Sequence, residues 1–491
     1  MRMPDLADLD SDQRDVYLKA PMDGAVLVTG PPGTGKTVVA FHRAVSLRRF
    51  DKQPATIIMF NKVLRQYTQS VQMEHDILIE HFHGWYPKWF KDSFGKAAPK
   101  KDRFDFDFLK AIQTVKSANK AQLSKAHWGH LIIDEGQDFP PEMYEFLKFF
   151  IDREFAEKKK PTLTVFADDN QTIHARCSML KEIQFELDAQ SRDNRFWRLE
   201  KNYRNSRSIA QFARKYQLLK RGAAKLPDED SSRKPDVIFF PDRNTIAARI
   251  ANQAKNSRSQ IGVISFGSKG EVKSAYNELV SACEKVGIKP PQMYTSDSKS
   301  IFNDATKIDF KADSSITVLH VKSSKGLEFD NVIVLNMHLI QGAHLSEEAM
   351  KELYVVSSRA RSVLMFDFPC FSEHLPAQVG LMPAPDENVC KFLAFTNWKD
   401  ELDSKLAEID WITEIHSREK MRAKALASEI LIGERYQLSE LFNLLEKGRF
   451  AANFSNLFIE AYEKKDVESI AEMVLEIGPE SVDLAINSGE K

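Results

Sequence analysis

Gly30-Pro31-Pro32-Gly33-Thr34-Gly35-Lys36-Thr37 stands between the apolar run Ala25-Val26-Leu27-Val28 and a segment, Val38 to Leu47, of helical length and pattern. Strand, glycine-rich turn and helix in that order make a phosphate-binding loop. Glycines let backbone N–H groups close around phosphate oxygens, and the helix N-terminus adds the positive end of its dipole. Lys36 offers a point charge to the β- and γ-phosphates, and Thr37 a hydroxyl to Mg²⁺. A glycine-rich turn with no phosphate chemistry is the bland alternative. The complete G-x-x-x-x-G-K-T match between strand and helix sets it aside.

A second motif follows, Leu131-Ile132-Ile133-Asp134-Glu135-Gly136-Gln137-Asp138, in which an apolar strand ends in adjacent carboxylates. Asp134 can hold Mg²⁺ and Glu135 can orient water, the division of labour that phosphoryl transfer asks for. An acidic pair alone is usually solvated surface. The strand before it and the loop upstream reverse that reading, and together the motifs predict a Mg²⁺-dependent hydrolase of an NTP.

The chain has 491 residues, 43% of them hydrophobic, enough for several domains with sizeable cores. Its net charge of −1 provides no global basic field, so a polyanion site must be a local groove. Cys177, Cys283, Cys370 and Cys390 are too widely spaced for a metal knuckle or a disulfide framework, which suits a reduced cytoplasm. Met1 to Ala20 is acidic and polar, and no apolar run approaches a membrane span, so a cytoplasmic protein without membrane contact is expected.

Strand-like runs at Ala25 to Thr29, Thr56 to Phe60, His130 to Ile133 and Leu163 to Phe166 alternate with helical stretches, the pattern of a parallel α/β domain over residues 1–219. Residues 220–235 have linker composition. Runs at Asp236 to Phe240, Gly262 to Phe266, Thr317 to Val321 and Asn331 to Asn336 predict a second α/β domain over 236–372. An insertion at about 91–125 sets Phe104, Phe106 and Phe108 beside Lys100, Lys101 and Arg103. That mixture suits single-stranded nucleic acid, or else a small helical cap with its phenylalanines buried. Residues 388–491 have helical periodicity and predict an all-helical accessory domain.

With these motifs placed, the order of the remaining signals resembles the superfamily 1 helicases typified by UvrD and Rep over roughly residues 9 to 370. Leu9-Asp10-Ser11-Asp12-Gln13 resembles the Q motif, which implies that Gln13 reads the adenine edge. Ala167-Asp168-Asp169-Asn170-Gln171 is similar to motif III, implying Gln171 as the γ-phosphate sensor. Leu199 to Asn205 resembles the next motif, in which Tyr203 would stack on adenine and Arg204 reach the γ-phosphate. Val321 to Phe329 is similar to motif V, with Gly326 near the γ-phosphate and Glu328 near the ribose, and Leu353 to Ala360 resembles motif VI with its arginine finger, Arg359.

The resemblance implies two tandem RecA-like P-loop domains that close on ATP, with Gly30, Gly33, Thr34, Gly35, Lys36 and Thr37 as the nucleotide cradle. Arginines from different motifs stabilise the transferred phosphoryl only when the cleft is shut. Alternate gripping of a strand would then move the protein 3′ to 5′ on single-stranded DNA, or on RNA. Track candidates are Phe60, Asn61, Lys62, Phe82, His83 and His174.

Departures from the pattern bear on function. Motif III continues as Thr172-Ile173-His174-Ala175-Arg176 without the usual aromatics, and Lys322 stands where UvrD and Rep usually have histidine. The segment before motif V is too short for the large insertion domain of those relatives, which regulates duplex engagement in them. Similarity to the HelD group supplies the alternative: an ATP-driven switch that remodels a protein complex such as RNA polymerase, docking through the C-terminal helices.

Overall fold

The computed structural model describes residues 5–59, 77–102, 105–153, 155, 159–168, 178–190, 193–218, 225–227, 233–295, 300, 302, 304, 307–309, 315–340, 346–370, 374–395, 400–432, 454–479 and 481–482. The chain divides into two compact units, and the first comprises Met1–Arg204 with Ala305–Lys311 and Lys325–Leu327.

A run buried at every position must be covered on both faces of its sheet, which helices in β–α–β crossovers provide. The first unit obeys this with β1 Ala25–Thr29, β2 Ala55–Met59, β3 Leu78–His81, β4 His130–Asp134, β5 Thr162–Ala167 and β6 Phe196–Arg198. β1, β2, β4 and β5 are buried throughout. The sheet order is β3-β2-β4-β5-β1-β6, and its pairings are parallel.

Helices α1 Ser11–Lys19, α2 Lys36–Asp51, α3 Phe82–Phe94, α4 Phe108–Lys116, α5 Lys120–Ala126, α6 Pro141–Ile151 and α7 Leu180–Leu187 accompany the sheet. Capping boxes start α1 (Asp10 with Gln13) and α5 (Asn119 with Gln122). In α3, Phe82, Tyr86, Phe90 and Phe94 recur every fourth residue and form its buried face. They join an aromatic core in which Phe150 stacks on Trp128 at 4.4 Å and meets Trp89 edge-on at 5.5 Å. Phe106 and Phe108 of the basic insertion are buried in the same core. Those two rings therefore support a helical cap and are withheld from nucleic acid, while Phe104 lies outside the described residues.

The second unit, Asn205–Asp304, Ala312–Ser324 and Glu328–Lys491, contains β7 Asp236–Phe240, β8 Ile261–Ser265, β9 Gln292–Tyr294, β10 Ile316–His320, β11 Phe329–Leu335, β12 Ala360–Pro369 and β13 Lys391–Ala394. Their order is β13-β7-β12-β11-β8-β10-β9, again with parallel pairings. Its helices are α8 Arg207–Arg214, α9 Arg243–Asn256, α10 Lys269–Val286, α11 Glu347–Ser357, α12 Leu402–Ala407, α13 Trp411–Ile432, α14 Phe454–Glu463 and α15 Val467–Ile477. Each unit thus has the α/β architecture of a RecA-like domain.

The segment expected to be wholly helical after residue 388 instead begins with β13, which pairs with β7 in register Lys391 to Asp236. Farther on, Leu426, Ala427 and Ile430 of α13 share a separate core with Phe458, Ile470 and Val474. Among the described residues, no helix is long and apolar enough to cross a membrane. Cys283, Cys370 and Cys390 are free thiols, and Cys177 lies outside the described residues.

Phe150 is fully buried between indole rings, so Phe150→Ala should cost about 3–5 kcal/mol of first-unit stability. Chemical denaturation followed by tryptophan fluorescence measures that loss.

Candidate functional site

The carboxyl ends of parallel strands lie on one edge of a sheet, where ligands of such folds collect. In the first unit β4, β5 and β1 are neighbours. Their ends deliver Asp134 and Glu135, then Asp168, then the 30–37 loop, to one place.

The loop's backbone demands its glycines. Gly33 and Gly35 have φ of 80° and 84°, the left-handed region that side chains rarely adopt. A Cβ on Gly33 would strike the Asn202 side chain and come within 2.9 Å of Arg204 Cβ, and one on Gly35 would strike Gln13 Nε2. The loop is thus closed over by the residues flanking Tyr203 and by Gln13. Tyr203, 45% exposed, donates its backbone N–H to Gly33 O at 2.8 Å, which ties its backbone to the loop. Asn202 Oδ1 accepts the Arg204 N–H at 2.9 Å. Gln13 Nε2 donates to Thr34 O at 2.9 Å while its Oε1 accepts the Asp10 N–H at 3.2 Å.

Lys36 and Thr37 open α2. The Lys36 ammonium donates to Gly30 O at 2.5 Å and Pro31 O at 3.3 Å, with Asp168 Oδ2 3.8 Å away. Thr37 Oγ1 donates to Asp134 Oδ2 at 2.7 Å. Burial and the charge of Glu135 push the Asp134 carboxyl up to about 6, against the opposing pull of Thr37 and Lys36. A buried carboxyl that resists ionisation in this way gains by taking a divalent cation. Among the described residues, no group of three or more His, Cys, Asp or Glu could hold a metal ion. One carboxylate and one hydroxyl, completed by water and phosphate oxygens, are the donors that Mg²⁺ takes in nucleotide sites.

Glu135 itself stands in the left-handed region, φ 57° and ψ 46°, a conformation that persists in a long side chain only where its surroundings impose it. Gln137 is part of those surroundings. Its Nε2 donates to Glu135 Oε2 at 2.6 Å, and its Oε1 accepts the Asp168 N–H at 2.9 Å. The Gly136 carbonyl accepts the Tyr144 hydroxyl. Asp138 pairs with Lys325 at 2.5 Å. Burial pushes its carboxyl up to about 6, opposed by Lys325 and reinforced by Glu135.

Residues 23–289 match the family described as Schlafen group 3, DNA/RNA helicase domain, which is more than half of the 491 residues. The chain belongs to this family. The matched stretch contains the loop, Asp134, Glu135, Tyr203 and Arg204, and it ends before Gly326, Glu328 and Arg359. No curated protein matches the chain. Among solved structures, the C-terminal domain of a possible DNA helicase from Lactobacillus plantarum is 20% identical, covering 39% of this chain and 98% of that one, with a TM-score of 0.25. Pif1 helicase from Candida albicans is 13% identical, covering 73% and 94%, with a TM-score of 0.41.

Of the residues singled out in the sequence, the first unit brings together Gln13, the 30–37 loop, Asp134, Glu135, Tyr203 and Arg204, and it also contains Gly326, whose φ is 78°. Glu328 and Arg359 belong to the second unit. Arg359 is 1% exposed and donates to Val355 O and Ser358 Oγ, each at 2.8 Å. Phe82 requires correction as a track residue: the four-residue spacing of α3 turns it into the aromatic core, where Phe139 lies 5.0 Å away. His83, next to it, is exposed and stacks on His81 at 5.2 Å. Phe60, Asn61, Lys62, Gln171 and His174 lie outside the described residues.

Sequence reading missed Gln137, Asp138, Asp168 and Asn202 as members of this site. All four fall inside the motifs quoted, at positions given no task there. Replacing Gln137 by Leu removes both of its side-chain hydrogen bonds at similar volume. The first unit should lose about 1–3 kcal/mol, read from its denaturation midpoint against the wild type.

Proposed function

We propose that this chain hydrolyses ATP with Mg²⁺ and uses the cycle to move along single-stranded DNA, 3′ to 5′. The observation that carries the reading is the placement of Thr37 Oγ1 2.7 Å from Asp134 Oδ2, with Glu135 next in the chain and clamped by Gln137. Membership in a DNA/RNA helicase domain family supports a nucleic acid as the track. The motif likeness to UvrD and Rep supports the superfamily 1 assignment, the single strand and the polarity. The reading fits a cytoplasmic protein.

In this mechanism the loop N–H groups and Lys36 receive the phosphates of ATP. Lys36 exchanges its contacts with the Gly30 and Pro31 carbonyls for phosphate oxygens. Thr37 and Asp134 would hold Mg²⁺, which would supply positive charge beside the phosphates. Glu135 orients the attacking water and takes its proton as the bond from oxygen to γ-phosphorus forms and the bond to ADP breaks. Gln171 senses the γ-phosphate, Tyr203 stacks on adenine and Gln13 faces its edge, while Gly326 and Glu328 line the γ-phosphate and ribose sides. Arg204 and Arg359 meet the transferring phosphoryl from the two units, so that turnover depends on closure. His83 and His174, with Phe60, Asn61 and Lys62, face the strand.

A HelD-like switch that remodels a protein complex through α13 to α15 is the competing reading. Both readings require the nucleotide chemistry, and only the motor requires a strand.

Glu135→Gln should bind ATP yet turn over at least about a hundredfold more slowly, measured as phosphate release; near-normal turnover removes Glu135 from the base role. Single-stranded DNA should raise the wild-type ATPase rate, and the gain should fall with salt as phosphate contacts are screened. A rate indifferent to DNA and RNA of every length favours the switch. Strand displacement on 3′- and 5′-tailed duplexes then reads polarity and unwinding together.

A further inference from the structure

A cleft of about 810 Å³ opens in the second unit among the end of α8, residues 387–389 and the Ile415–Arg422 stretch of α13. Arg418 lines it and is only 4% exposed. Its Nη1 donates to Glu387 Oε1 at 3.1 Å, whereas its Nε and Nη2 have no acceptor among the described residues. Those two N–H groups form the side edge of the guanidinium, the fork that fits two oxygens of one oxyanion. Gln217, 3% exposed and lining the same cleft, has an Nε2 that also lacks an acceptor among the described residues. Buried donors in native proteins are nearly always paired, with protein or with ordered water, so a fork and an amide left over beside one cleft suit an acceptor from outside, which a shift of the lining side chains would admit to these solvent-closed atoms.

The charges at the cleft decide which acceptor. Arg214, Lys215, Arg418 and Arg422 line it against two carboxylates, Glu387 and Glu419. Both carboxylates are engaged, Glu387 by Lys215 at 2.5 Å and by Arg418, and Glu419 by Arg422 at 2.5 Å. Arg422 also donates to the Gln217 and Lys215 carbonyls, at 3.2 and 3.4 Å, just beyond α8. The excess of two positive charges exceeds what one carboxylate ligand neutralises. It matches a phosphate monoester, which carries about −1.5 to −2 at neutral pH.

We propose that this cleft binds a phosphate monoester, held side-on by Arg418 Nε and Nη2 and capped by Gln217 Nε2. A mononucleotide or the phosphorylated end of a nucleic-acid strand would bring the same group. The site lies in the other unit from the 30–37 loop and does not depend on ATP hydrolysis.

The test is calorimetric titration of the full chain with phenyl phosphate, the loop being saturated with Mg²⁺ and a non-hydrolysable ATP analogue. Wild type should bind, and Arg418→Lys, which keeps the charge but loses the fork, should weaken binding about tenfold or more. Gln217→Leu should weaken it about threefold or more, and it carries the test if Arg418→Lys does not fold by circular dichroism. Tighter binding of a 5′-phosphorylated oligothymidylate than of its unphosphorylated twin and of AMP assigns the site to strand ends, and binding of AMP equal to the phosphorylated strand assigns it to mononucleotides. Absence of phenyl phosphate binding, equal affinity in the variants, or tighter binding of acetate or an acidic peptide overturns the proposal.

Discussion

The parallel pairing of β4, β5 and β1 is the constraint on which the site depends. Because the strands run the same way, the residues that leave them all emerge at one edge, and no loop has to travel to bring Asp134, Asp168 and Lys36 together. β5 lies between the other two, which is why Asp168 reaches both sides: its carboxylate faces Lys36 and its N–H meets Gln137. A sheet with the same sequences paired antiparallel would scatter these groups to opposite ends.

Charges buried at this edge remain tolerable because each has somewhere to place its field. Lys36 rests on loop carbonyls, Asp134 accepts from Thr37, and Asp138 faces Lys325. Gln137 has a different task, since it carries no charge and uses both ends of its amide to join Glu135 to the backbone at Asp168. A neutral link of this kind holds a carboxylate in place without discharging it. The left-handed backbone at Glu135 is the local cost of aiming that side chain, and the surrounding contacts offset it.

Periodicity in the sequence exposes a buried strand or a buried helix face and says little about which loop residue meets which. The runs at 25–29 and 236–240 emerge as strands with the limits expected. Phe82 was misread as a track residue because it was taken by itself, whereas its burial follows from Tyr86, Phe90 and Phe94 on the turns that follow. β13 escaped notice for another reason. It is a short edge strand with alternating exposure, and its residues become a strand only because β7 offers an unpaired edge. Gln137 was legible as a letter of the motif, but its partner at Asp168 lies on another strand, and no spacing rule joins the two.

By itself the sequence determined that two parallel α/β units exist, that the first carries a phosphate-binding loop, and that Asp134 and Glu135 follow an apolar strand, because these features are local and rest on spacing along the chain. Only the tertiary structure decided that Gln13 and Asn202 close over the loop, that Gln137 clamps Glu135, that Phe82 belongs to the core, and that Arg418 lies buried beside a cleft. Each of these depends on residues distant in sequence meeting in space, and the energy of such a contact is set by burial and geometry that no local pattern encodes.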